Sequence, residues 1–142
     1  MMIRHSVVGL IALGMTTAAL AQSSLGELLD GGAKKLPKDT VKSTLSGAQV
    51  SGKSVTGAST EYVYKPDGSF TGNLQNSEGW KSGAVGRWTV DDDGKICSEW
   101  TLTVNSKRLK GCGFLFSKAD EYYYVESDSD RSAPIFKRVI KK

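Results

Sequence analysis

The chain has 142 residues, 39% of them hydrophobic, and a formal net charge of +4. That length holds one domain around one core. Its lysines and arginines are scattered, with one dense run at Lys137, Arg138, Lys141 and Lys142; a nucleic-acid reader would gather them on one face, so the tail is expected to be a solvated chain end.

The first element in the chain is a leader. Arg4 and His5 precede an apolar run from Val7 to about Met15, and Ala19-Leu20-Ala21 supplies the small residues that signal peptidase accepts. The run is shorter than the ~20 residues of a bilayer span. A secretory signal peptide over residues 1–21, cleaved after Ala21, is therefore expected, against the alternative of an uncleaved anchor. The mature chain should be soluble, without a membrane span, and periplasmic or secreted. The residue directly after the cleavage site is Gln22 and not cysteine, which argues against a lipid anchor.

Residues 22–46 form a short helical or loop lead. Ser24 to Leu29 can make a turn of helix ended by Gly31-Gly32, and a second can start at Asp39, whose carboxylate would cap the amides that follow. Val41 and Leu45 then share one helical face, and Gly47 suits the stop. Helices this short are marginal alone and must dock on something.

From residue 47 to 142 the period changes to two. Strands are expected over Gln49 to Thr56, at Tyr62-Val63-Tyr64, around Phe70, and over Ala84 to Val90, Ile96 to Val104, Leu109 to Phe116, Tyr122 to Val125 and Ile135 to Ile140. Lys65-Pro66-Asp67-Gly68-Ser69 has the chemistry of a turn. About eight short strands at this spacing make a mainly β fold, an antiparallel meander or a small lipocalin-like barrel.

The stretch GRWTVDDDGKICSEW (86–100) reads as a hairpin. Gly86, Trp88 and Val90 share one strand face, and Ile96, Ser98 and Trp100 share a face of the next. Asp-Gly marks the reversal between them. A calcium loop would alternate its oxygen ligands and end in a bidentate glutamate, whereas Asp91, Asp92 and Asp93 are adjacent. No metal site is expected.

Cys97 and Cys112 are the only cysteines. In an oxidising compartment they should form one disulfide. Parity presents a conflict, because Cys97 lies opposite Trp100 while Cys112 shares parity with Phe114 and Phe116, which look like core. Paired residues must share a face, so a β-bulge is expected at Gly111–Gly113.

With its one histidine, His5, inside the leader, the mature chain lacks the residue that serves most often as general base and metal ligand. Serine–histidine and cysteine–histidine nucleophiles are excluded, and no phosphate-binding glycine loop occurs. Glu61, Glu99 and Glu126 leave open a carboxylate pair across a barrel mouth, the blander reading being that they face solvent. The aromatics are the better lead. Trp88 and Trp100 should face inward on adjacent strands, as ordinary core or as the wall of a cavity with Phe114. The run Tyr122-Tyr123-Tyr124 must turn at least one ring outward, where it could anchor an interface.

Taken in order, Leu45-Ser46-Gly47, Pro66-Asp67-Gly68, Gly86-Arg87-Trp88, Asp93-Gly94, Ile96-Cys97, Trp100 and Cys112 resemble a family of small exported proteobacterial proteins of unknown function, over most of residues 39–125. The resemblance implies a lipocalin-like β-barrel or related meander in the periplasm, and carries over no catalytic or binding residue. The expected function is that of an exported, non-enzymatic binding protein without cofactor, engaging a protein partner of the cell envelope as inhibitors and immunity proteins do. The alternative is a carrier of a small apolar ligand within the barrel, and the third reading is a carboxylate-based hydrolase.

Overall fold

The computed structural model describes residues 23–104 and 107–142; the expected leader over 1–21 lies outside the described residues. The elements run α1 (Leu25–Asp30), β1 (Lys34–Lys35), α2 (Lys38–Leu45), β2 (Gln49–Lys53), β3 (Ser59–Tyr64), β4 (Ser69–Gln75), β5 (Lys81–Val90), β6 (Ile96–Val104), β7 (Lys107–Lys118), β8 (Glu121–Val125) and β9 (Ile135–Lys141). Strands β2 to β9 form an antiparallel meander, and β9 pairs back onto β2 through Val50↔Ile140 and Gly52↔Arg138, closing an eight-stranded barrel. Closure leaves no bare edge among these strands. The short β1 is a ninth strand that the periodicity did not suggest. It lies against Phe116 and Ser117 of β7, on the edge opposite β8.

The turns form for the reasons their residues supply. Asp67 accepts hydrogen bonds from the Ser69 amide (2.8 Å) and hydroxyl (2.6 Å), and Gly68 takes a φ of 89°. At the next reversal but one, Asp91 Oδ1 accepts from the Asp93 and Lys95 amides at 2.9 Å, and Gly94 takes a φ of 80°. Asp92 leans out to Lys38 Nζ at 2.9 Å. The aspartate run is thus a hairpin turn tied to α2, and among the described residues no acidic, histidine or cysteine group is arranged to hold a metal.

The two helices close different surfaces. Helix α2 packs Val41 and Leu45 into the barrel's inner core, and the Gly47 amide beyond its end donates to the Tyr64 carbonyl at 2.7 Å. Its N-cap is Pro37, with no side-chain cap, so Asp39 lies inside the first turn instead of capping it. Helix α1 is capped by Ser24, whose hydroxyl accepts from the Glu27 amide. Leu25 and Leu28 then lie against the outside of the barrel, where they bury Phe114, Phe116, Val125 and Ala133.

This outer cluster resolves the cysteine conflict, and it corrects the expected bulge. Cys97 and Cys112 pair directly with a Cα–Cα distance of 4.1 Å and are disulfide-bonded. The register runs unbroken from Ile96↔Gly113 to Glu99↔Lys110, and the irregularity falls between Glu99 and Thr103. Both cysteines face outward, as do Phe114 and Phe116. Those two rings are buried because a helix covers them, not because they point into the barrel. On β7 the inward positions are therefore the odd ones, Gly111, Gly113 and Leu115.

Candidate functional site

The inward faces of β4 and β5 meet a tightly filled region. Phe70 (1% exposed) lies over Gly86, where a Cβ would strike its ring and the Glu99 carbonyl. The same ring stands edge-on to Trp100 at 5.7 Å between centroids. Tyr62 covers Gly72 in the same manner. Trp88 packs edge-on against Tyr64 at 5.5 Å, and its indole nitrogen donates to the Lys65 carbonyl at 3.0 Å. Alternating large rings with glycines lets a narrow barrel fill its own interior.

Across the barrel the packing stops short. A cavity of about 130 Å³ is lined from β2, β3, β6, β7, β8 and β9, with no contribution from β4 or β5. Leu45 of α2 lies at one end, and Ser54 and the half-exposed Val55 of the β2–β3 turn lie at the other. Val50, Ile96 and Leu115 make the aliphatic wall, and Tyr62, Tyr64, Trp100 and Tyr124 make the aromatic one. The polar groups among its lining are Ser54, Ser98, Thr60, the tyrosine hydroxyls and Arg138. Burial pushes the Tyr64 hydroxyl up to about 12 and also raises Tyr62 and Tyr124. All three are neutral hydroxyls at physiological pH.

Among the described residues Arg138 is the one charged side chain lining this space. Its Nη1 donates to the Lys53 carbonyl at 2.7 Å and to the Lys137 carbonyl at 3.2 Å. Its guanidinium carbon stands 5.2 Å from the Tyr124 ring centroid. The side chain crosses Gly52, where a Cβ would come within 2.7 Å of Nη1. Burial lowers its pKa from the ordinary arginine value, but a guanidinium remains charged in a protein. The solvated tail expected from the basic run is thereby corrected, since residues 135–141 are the strand that closes the barrel. Lys137, Lys141 and Lys142 still face water, Lys137 pairing with Glu121 at 3.0 Å, and Arg138 is the member of the run that turns inward. The signal for Arg138 was present in its neighbours: Phe136 and Ile140, two residues either side, share its strand face.

The other sequence candidates divide among three places. Trp88 belongs to the filled side and Trp100 separates it from the cavity. Phe114 does not belong to the wall at all; it sits in the outer cluster under α1, with the Lys35 ammonium 5.0 Å from its ring centroid. Tyr122 packs on the inner core and Tyr124 lines the cavity, while Tyr123 turns outward against the α1 cluster and donates its hydroxyl to Glu121. The three rings thus form no common surface. Glu61 accepts from Gln49 on the outer face, Glu99 pairs there with Lys110 at 3.8 Å, and Glu126 is exposed. None of these acids lines the cavity.

No helix among the described residues is long and apolar enough to cross a membrane. No curated protein matches the chain, and no solved structure does. Over residues 10–140 it matches the family described as "Protein of unknown function (DUF995)", and with nearly its whole length covered the chain belongs to that family.

Proposed function

We propose that the protein is an exported, non-enzymatic carrier of the bacterial envelope, holding one small and largely apolar molecule inside its barrel. The observation that supports this is the one-sided cavity. A folded interior is ordinarily packed as densely as an organic crystal, and here the aliphatic and aromatic wall leaves about 130 Å³ unfilled. Apolar space of about 150 Å³ is enough for a benzene-sized molecule. A mouth of small and half-exposed residues, Ser54 and Val55, gives such a molecule a way in. The bonded pair Cys97–Cys112 supports export, because disulfides persist in oxidising compartments.

The partner-binding reading has less behind it, since Tyr122 and Tyr124 turn into the barrel. The hydrolase reading has less behind it too, since among the described residues no carboxylate lines the cavity. Native mass spectrometry of the protein purified gently from its own compartment, followed by the denatured mass of the same sample, tests the proposal. Extra small-molecule mass that disappears on denaturation is expected. A stoichiometric protein partner with an unoccupied barrel would overturn the carrier reading.

A further inference from the structure

We propose that Arg138 is the anchor for a carboxylate, so that the molecule held in the barrel is a compact, ring-sized organic acid and not a neutral apolar compound. The inference rests on the carrier reading and adds the chemical class of what is carried. An arginine inside a barrel is costly to desolvate, and proteins normally offset that cost with an acid. Among the described residues no carboxylate pairs with Arg138, and no acid lines the cavity. The tyrosines around it cannot supply the missing charge, because burial keeps their hydroxyls protonated.

The guanidinium is also held in a way that suits a ligand. Two backbone carbonyls take Nη1, and the Tyr124 ring stands by the guanidinium. The Nε–Nη2 edge makes no hydrogen bond with a described residue, and this is an edge that takes a carboxylate through two parallel bonds. Gly52 keeps the side chain in place by leaving room beneath it. Elsewhere the lining of the same cavity is apolar, with Val50, Ile96, Leu115 and Trp100 available to an aromatic or branched body. The remaining hydroxyls of Ser98 and the tyrosines can donate to a second ligand oxygen.

The test compares benzoate with benzyl alcohol, which has a ring of the same size and no charge, by calorimetric titration of the full mature protein. Quenching of tryptophan fluorescence, to which Trp100 in the cavity wall contributes, serves as a second readout. Benzoate is expected to bind about 10- to 100-fold more tightly than benzyl alcohol, the range of a charge-assisted double hydrogen bond. In Arg138→Met that preference should vanish while benzyl alcohol still binds, which also shows that the variant is folded. Arg138→Lys, which keeps the charge and loses the fork, should retain only part of it. Equal affinity for the two probes in the unaltered protein would overturn the anchor and leave the carrier standing. Binding of neither would overturn both.

Discussion

The two sides of the barrel interior are built from the same kinds of residue and reach opposite results. On the β4–β5 side, Phe70 and Tyr62 each lie over a glycine of the next strand, and Trp88 ties its indole to the Lys65 carbonyl. Ring and glycine fill one another's space, and nothing is left over. On the opposite side, Tyr124 covers Gly113 in the same way, yet the neighbouring inward positions are Ser98, Gly111 and Arg138. Gly111 meets only the rim of the Trp100 ring, at 3.6 Å. Small and polar residues where a barrel would otherwise place Leu or Phe leave a space, and the charged Arg138 sits in it. The difference teaches that this cavity is not a packing accident spread evenly through a loose core. It is confined to one wall while the rest is dense.

The sharpest way to break the comparison is to hollow the dense side. Phe70→Ala removes a ring that is 1% exposed and touches Tyr62, Tyr64 and Trp100. A loss of about 3–5 kcal/mol is expected in urea unfolding, because the backbone of a closed barrel cannot collapse into the gap. A loss below about 1 kcal/mol would mean that the β4–β5 side is as loosely filled as the other.

A somewhat smaller effect is expected at the disulfide, which staples the cavity wall from outside. Cys97 and Cys112 join β6 and β7 beside Ser98 and Gly111, with a sequence separation of 15. Replacing both with Ser should cost about 3 kcal/mol, the chain-entropy value for a loop of that length. Hydrogen exchange should show the loss unevenly, with β6 and β7 amides near Gly111 opening before those of β4. Uniform loosening would assign the bond a global role and detach it from the cavity.

How much of this was legible in the sequence follows from what strand parity can and cannot see. Alternation placed Gly86, Trp88, Val90, Ile96 and Trp100 on one inner surface, and turn chemistry placed the reversals at Asp67-Gly68 and Asp93-Gly94. Parity alone does not say which of two apolar faces is inside. On β7, Phe114 and Phe116 alternate with Gly113 and Leu115, both sets are buried, and the larger rings belong to the face under α1. That helix is six residues long, and nothing in its own composition says which strands it will cover. Arg138 was hidden by the opposite error, since a basic run at a chain end resembles a solvated tail until β9 is known to close the barrel. Both errors share a cause: burial here depends on contacts between distant parts of the chain, Leu25 with Ala133 and Arg138 with Lys53.

The finest test uses one chemical change on both sides. Gly86→Ala puts a methyl where the Phe70 ring and the Glu99 carbonyl already are. Neither can yield easily, since one is a core ring and the other is ladder backbone, so a cost of about 1–3 kcal/mol is expected from overpacking. Gly111→Ala places the same methyl at ordinary contact distance from Trp100, pointing into the cavity. There the loss of unfolded-chain entropy should act alone, for a gain of up to about 1 kcal/mol. The same substitution should weaken benzoate binding, because the methyl takes space that the ligand needs. Opposite signs of stability change for the two variants, measured in one buffer by urea unfolding, would tie the hollow side to function: it would show that a more stable barrel is one substitution away, and that the space is kept at the expense of stability.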